Sequence, residues 1–176
     1  MPVAAEGPIA VHVAAVRELI AASATWRAWV GAASAADAAM SVYPVGLPPP
    51  PGRASFSRED LRELRPFAVV NVGGRGEQFA FRRAALGQFV PGGTVLVGFE
   101  DEVLVEDGRN FADHTYEFLN RVGAVVAEAL EAGEGGGFPV IQAARVSSPY
   151  RAKPEEVAAR GDYLACGVAF DFGLDR

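Results

Sequence analysis

The chain has a single cysteine, Cys166, among its 176 residues, so no disulfide can form within it. That lack is compatible with a reducing compartment. No apolar run reaches the roughly 20 residues that a membrane-spanning helix needs. The N-terminus also lacks the basic start and long apolar core of a signal peptide, so we expect synthesis in the cytoplasm and no membrane partner.

Basic residues are in the minority, because 16 lysines and arginines stand against 22 acidic residues, for a formal charge of −6. Proteins that hold nucleic acid through its phosphates need a basic surface, and this balance argues against that class. Half of the residues are apolar and 22% are charged, as is typical of a globular chain. A chain of this length predicts one domain, 1–176, around one core.

Apolar residues spaced three and four positions apart predict a helix over 8–22. Ser23 and Ser34 are expected to cap two shorter helices, which complete a helical lead-in over 1–41. Trp26 and Trp29 share one face of the second helix, and we expect them in the core; an exposed anchor for a partner is the alternative. The stripe of the first helix consists of Ile9, Val13, Val16 and Ile20.

The section 42–65 contains the four prolines 48–51, which exclude a helix there. Ser57, followed by acidic residues, predicts a short helix that ends before Pro66. Over 66–176 the clearest element is a helix at about 110–131, with Asn110 as its N-cap. The apolar stripe of this helix consists of Phe111, Thr115, Phe118, Val122, Val125 and Ala129.

Alternating apolar residues predict the strands of a sheet. We expect a turn at Pro91-Gly92-Gly93 and a polar connection over 147–161. The predicted class is α+β: a mixed or antiparallel sheet of about five strands, with helices packed on one face. The strands are expected at 67–72, around Phe79 and Phe81, and at 94–99, 138–146 and 164–172.

The final strand has two different faces. Leu164 to Phe172, at every second position, form an apolar face that we expect against the long helix. The intervening Ala165, Gly167, Ala169 and Asp171 are mostly small. We expect that second face to lie against another protein surface.

No pattern of reactive groups predicts catalysis, and no cofactor is expected. Gly73-Gly74-Arg75-Gly76 lacks the following helix of a phosphate-binding loop and is interpreted as a turn. His12 and His114 are expected at the surface of their helices. Cys166 is expected to be buried, as a small apolar side chain.

Three charged segments, two basic and one acidic, are the candidate interface. We expect them to supply the two complementary faces that a ring of identical subunits needs. The acidic residues also have a hypothetical use, since a negative loop facing a channel repels DNA. The basic candidates are Arg58, Arg62, Arg82 and Arg83, with Arg65 nearby, and the acidic candidates, expected in a solvated loop, are Glu100, Asp101, Glu102, Glu106 and Asp107.

Several segments between Ile9 and Gly173 resemble one family of virion proteins. Together they are similar to the tail terminator, or tail completion, proteins of long-tailed bacteriophages and prophages. The chain departs from that pattern in its proline loop and in the glycines near Gly135. The similar segments are Ile9–His12 with Ile20–Arg27, Arg65–Val70, Phe118–Glu128, Pro149–Arg151 with Glu155-Glu156, and Gly161–Tyr163 with the final strand.

The resemblance implies a subunit of a hexameric ring on the end of the phage tail tube. Such a ring ends tube polymerisation and docks the head–tail connector, while DNA only passes through its lumen. The protein would be assembled in the bacterial cytoplasm and would reside in the virion. Two alternatives stay open: another neck or minor tail protein, and a small metal-dependent enzyme that uses the carboxylates of 100–107.

Overall fold

A computed structural model of the chain describes residues 8–72, 80–83, 89–103, 110–134 and 141–173. Within them lie six α-helices, one short 3₁₀ helix at Ala39–Ser41 and seven strands, which confirms the predicted α+β class. The helices are α1 Pro8–Ala22, α2 Ala24–Trp29, α3 Ala35–Ala38, α4 Arg58–Leu64, α5 Phe111–Glu134 and α6 Pro154–Arg160. The strands are β1 Val42–Pro44, β2 Phe67–Val72, β3 Ala80–Arg83, β4 Phe89–Glu102, β5 Ile141–Val146, β6 Tyr150–Arg151 and β7 Tyr163–Phe172.

The N-terminal helices begin where their capping residues predict. Ser23 Oγ accepts a hydrogen bond from the backbone N–H of Trp26 at 3.0 Å, and Ser34 caps α3 in the same way. A carboxylate of α5 completes the first cap, because Glu128 Oε2 accepts from Ser23 Oγ at 2.7 Å. Gly31, just after α2, has a φ of +67°, which glycine adopts without a steric penalty.

The sheet is mixed, in the order β1-β2-β4-β7-β5. β1 runs parallel to β2, and the other pairs are antiparallel. β3 pairs with β4 beyond the end of β2, and β6 pairs with β7 beyond the end of β5. β4 and β7 are thus the central strands, paired from Gly93 with Phe172 to Glu102 with Tyr163.

The predicted turn at Pro91-Gly92-Gly93 is wrong, because β4 runs through these residues without a break. Residues 89–92 pair with β3, and pairing with β7 starts only at Gly93. Among the described strands, one edge of β4 therefore has no partner at Pro91. Proline has no N–H to donate, and such an edge tolerates it.

The core lies between one face of the sheet and helices α1, α2 and α5. Trp26 is fully buried, and its ring meets those of Trp29 and Phe99 edge-on, at 5.4 and 5.6 Å between centroids. Trp29 packs against the same cluster, so the expectation that both tryptophans belong to the core is confirmed. The predicted apolar face of the final strand is also buried: Leu164, Cys166, Val168, Phe170 and Phe172.

His12 is not at the surface, so that expectation is wrong. Its side chain is fully buried, and the ring meets Phe172 edge-on at 4.7 Å. The reason is helical spacing: His12, Val16 and Ile20 lie four residues apart and therefore share the face of α1 that covers the sheet.

The stripe of α5 is buried from Phe118 to Ala129 but not in the first helical turns. Phe111 is exposed, and its ring lies 4.1 Å from the guanidinium carbon of Arg151. Asn110 caps the helix as predicted, since its Oδ1 accepts from Asp113 N at 3.0 Å. The stripe therefore starts to contact the sheet about two turns after the helix begins.

The segment 147–161 is more than a polar connection. It contains β6, whose Tyr150 and Arg151 pair with Ala165 and Leu164, and the helix α6. Both elements are short and have no apolar periodicity, so a pattern search misses them.

Candidate assembly surfaces

Arg65 forms a buried ion pair with Glu100. Nε and Nη2 of Arg65 donate to Glu100 Oε1 at 2.9 and 2.5 Å, and Nη1 donates to the carbonyl oxygen of Arg160 at 2.7 Å. The Arg65 side chain is 1% exposed, and that of Glu100 is 12% exposed. The Arg65 guanidinium also lies 4.7 Å from the centre of the Tyr163 ring. We call these four residues the Arg65 cluster.

The Arg65 cluster joins α4 and α6 to the central strands. Arg160 adds a second cation, with Nη2 at 3.2 Å from Glu100 Oε2 and its guanidinium 4.8 Å from the Tyr163 ring. Beside the cluster, Arg62 Nε lies 3.5 Å from Glu102 Oε2. We expected the basic and acidic segments on separate contact faces, but Arg62 and Arg65 form ion pairs with Glu102 and Glu100 of the same chain. Nothing in the sequence marked Arg160 as part of this arrangement.

Glu100, Asp101 and Glu102 do not lie in a solvated loop, because they form the end of β4. Successive side chains of a strand point to opposite faces, so Asp101 points towards α2 and α5, whereas Glu100 and Glu102 point towards α4 and α6. Asp101 Oδ2 accepts a hydrogen bond from Trp29 Nε1 at 2.8 Å, and Arg121 Nη1 lies 3.8 Å away. Burial raises the pKa of Asp101, more than these two partners lower it.

The remaining candidate residues are dispersed. Arg58 is exposed at the start of α4. Arg82 and Arg83 are on β3, where they pair with Val90 and Phe89. Glu106, Asp107 and the glycines of 73–76 lie outside the described residues, so the expectations for them stay predictions.

The described part of the chain has no group of three or more His, Cys, Asp or Glu residues placed to hold a metal ion. Cys166 is buried as predicted, and its Sγ donates to the carbonyl oxygen of Ser147 at 3.3 Å. Burial raises the pKa of the thiol, which opposes formation of a reactive thiolate. His114 is half-buried and lines a cavity of about 380 Å³ together with Asp101.

The second face of the sheet carries small apolar residues at its centre. Gly98 and Gly167, which are paired across β4 and β7, are exposed. No described residue approaches within 4 Å of the position that a side chain on Gly98 would take. The apolar side chains next to these two glycines are half-buried, and the exposed Ser147 lies beside Gly167, with its Oγ accepting a hydrogen bond from the Gly167 N–H at 2.9 Å. We call this surface the small-residue face: Val69, Leu96, Gly98, Ala165, Gly167 and Ala169.

No family model matches the chain, and no curated protein does. No helix among the described residues combines the length and the apolar character needed to cross a bilayer.

Proposed function

We propose that this protein is a structural subunit that assembles with copies of itself into a ring of the tail terminator type. The ring would sit at the head-proximal end of a phage tail tube. There it would end tube polymerisation and dock the head–tail connector. The partners in this proposal are other copies of the chain, the tube protein and the connector, with DNA only passing through.

The small-residue face is the observation that carries the proposal. An antiparallel sheet with one solvated face normally places polar side chains on it. Here the centre of that face, at Gly98 and Gly167, is small and uncharged. Small side chains let another surface approach the backbone closely, and an exposed apolar patch inside a polar rim is typical of a protein contact site.

The charged residues around that face support the same interpretation. Arg65 and Glu100 form an ion pair, and Arg65 also donates a hydrogen bond to the carbonyl oxygen of Arg160. These contacts join α4 and α6 to one end of the sheet. At the other end, Asp171 accepts hydrogen bonds from Thr94 and Arg145 at 2.8 and 3.2 Å. These ion pairs hold the fold and frame the small-residue face, which leaves the face itself for contact with a partner.

A substitution at Gly98 tests the proposal. Gly98→Glu adds a charged side chain where the single subunit has open space, so the subunit should fold normally. Gly46→Glu is the matched control, because it also points into open space and adds the same charge. We expect the wild type and the control to elute as one large species in size-exclusion chromatography with light scattering, and Gly98→Glu to elute as a smaller one. Equal assembly of all three would refute the use of this face.

Another neck or minor tail protein would use the same kind of surface, and only the position in the particle separates these roles. Labelling of assembled particles at the head–tail junction distinguishes a terminator from a protein elsewhere in the tail. The metal-dependent enzyme is disfavoured because Glu100 and Asp101 already bind Arg65 and Trp29. A rise in melting temperature with divalent ions would favour it again.

A further inference from the structure

The outer surface of helices α1, α2 and α3 has few charged residues. Of the 13 exposed residues in 9–41, seven are alanines, and Glu18 and Asp37 are the charged ones. The same segment exposes two larger apolar side chains, Val11 by 43% and Met40 by 72%. We call this surface the alanine surface, and its members are Val11, Ala14, Ala22, Ala24, Ala28, Ala33, Ala35, Ala36 and Met40.

Helix α1 is apolar on its outer side as well as on its inner side. The inner side, with Val16 and Ile20, is buried in the core. Val11 and Ala14 lie on the opposite side of the helix, where Glu18 is the charged residue. A helix on the outside of a free-standing domain normally has a polar outer side, whereas one that is apolar all round is buried. The outer side of α1 is therefore that of a helix covered by another surface.

The alanine surface and the small-residue face lie on opposite sides of the subunit. Helices α1 and α2 pack on one face of the sheet, and Gly98 and Gly167 are exposed on the other. A contact between these two surfaces joins different parts of two copies, so it is head-to-tail. Such a contact produces a ring where the rotation between copies closes, and a filament where it does not.

Charges around the small-residue face complement those of the alanine surface. In two ion pairs at the edges of that face, the arginine is the more exposed member. Arg62 is 65% exposed and Glu102 19%, and Arg145 is 62% exposed and Asp171 28%. The rim of the face therefore presents positive charge outwards. The exposed charged residues of 9–41 are both acidic, so the two surfaces attract each other.

The two surfaces are also similar in size. Helix α1 has 15 residues and is about 22 Å long. The sheet is five strands wide from β1 to β5, or about 19 Å. Segment 9–41 has 26 residues that are exposed or half-buried, and a stable contact uses about 20–30 residues on each side. Small side chains at the centre of both surfaces let a helix approach a sheet closely, as in the helix-on-sheet layers of a single domain.

We propose that the alanine surface of one copy packs on the small-residue face of the next. The apolar centres meet without burying an unpaired charge, and the acidic residues of 9–41 lie towards the arginines of the rim. This contact rests on the proposed self-assembly, and it names the surface that covers the small-residue face.

Single charges on the two surfaces test the contact. Ala14→Glu places a carboxylate on the alanine surface, at an exposed helical position where glutamate is well tolerated, and Gly98→Glu places one on the small-residue face. Each variant alone should self-associate at least about tenfold more weakly, because the contact would bury an unpaired charge. Ala127→Glu is the matched control, because Ala127 is exposed on α5 one turn from the exposed Glu131, and it should assemble like the wild type.

A 1:1 mixture of Ala14→Glu and Gly98→Glu gives the sharpest result. The intact small-residue face of the first variant can bind the intact alanine surface of the second, whereas the two remaining surfaces each have a glutamate. The mixture should therefore form a dimer with one copy of each variant, and no larger species, at concentrations where neither variant dimerises alone. Native mass spectrometry identifies this dimer, since the two variants differ in mass.

The outcomes separate the contact from the proposed function. Loss of assembly in each variant and a mixed dimer support the contact. Undiminished assembly of Ala14→Glu, or a mixture that stays monomeric, overturns the contact while a wild-type oligomer still supports the proposed function. A wild type that stays monomeric overturns the proposed function itself. Ala35→Glu, at the first residue of α3, replaces Ala14→Glu if that variant loses the wild-type circular dichroism spectrum.

Discussion

Replacing Arg65 with methionine removes the most deeply buried cation of the Arg65 cluster while keeping a side chain of similar length. In the wild type, Glu100 is 12% exposed and receives two hydrogen bonds from Arg65. After the substitution, Arg160 at 3.2 Å is its remaining cation in the cluster. A buried carboxylate that loses its main partner keeps its desolvation penalty without most of the compensation.

Breaking a buried ion pair costs about 3–5 kcal/mol. Because the Arg160 contact remains, we expect Arg65→Met to lower the free energy of unfolding by about 3 kcal/mol, the low end of that range. For a domain of this size, that corresponds to a fall of about 6–12 °C in melting temperature. Arg62→Met is the matched control, because Arg62 is 65% exposed in its pair with Glu102. An exposed pair contributes about 0–1 kcal/mol.

Urea unfolding followed by tryptophan fluorescence measures both changes, since Trp26 is fully buried. Adding Glu100→Gln to Arg65→Met should recover part of the loss, because the unpaired charge is then removed. Equal losses from Arg65→Met and Arg62→Met would refute the reasoning that burial makes the Arg65 pair the structural one.

Other side chains give further predictions. A hydrogen bond from Thr25 lowers the pKa of Glu128, so Glu128→Gln should cost about 1 kcal/mol at pH 7, and this cost should disappear as the pH falls through the lowered pKa. Burial raises the pKa of Asp101 in the folded state above its value in the unfolded chain. The wild type should therefore lose stability as the pH rises from the unfolded-state pKa of Asp101 to its folded-state pKa. Urea titrations at several pH values should show no such loss for Asp101→Asn. Cys166 should react with iodoacetamide only after unfolding, as followed by mass spectrometry.

Local patterns were sufficient to predict helices α1 to α5, strands β2 and β7 and part of β4, but not α6 or β6. The bounds of α1 and β2 follow from apolar spacing, and Ser23, Ser34 and Ser57 mark helix starts because a side-chain oxygen can satisfy free backbone N–H groups. These signals lie within a few residues of the element they define. That is why they can be found without knowledge of the fold.

Contacts between distant segments could not be predicted in the same way. Arg65 and Glu100 are 35 positions apart, and their pairing depends on the register of β2 against β4. The burial of His12 follows from which face of α1 meets the sheet, and a polar residue on that face gives no apolar signal. Pro91 predicts a turn locally, whereas the pairing of β3 with β4 keeps it in a strand.

The proposed function requires that the protein assemble with copies of itself. Native mass spectrometry of the purified wild-type chain over a range of concentrations tests this most directly. We expect one dominant oligomer at a whole-number multiple of 18.5 kDa, which Gly98→Glu diminishes and Gly46→Glu does not. A single 18.5 kDa species at every concentration would contradict it.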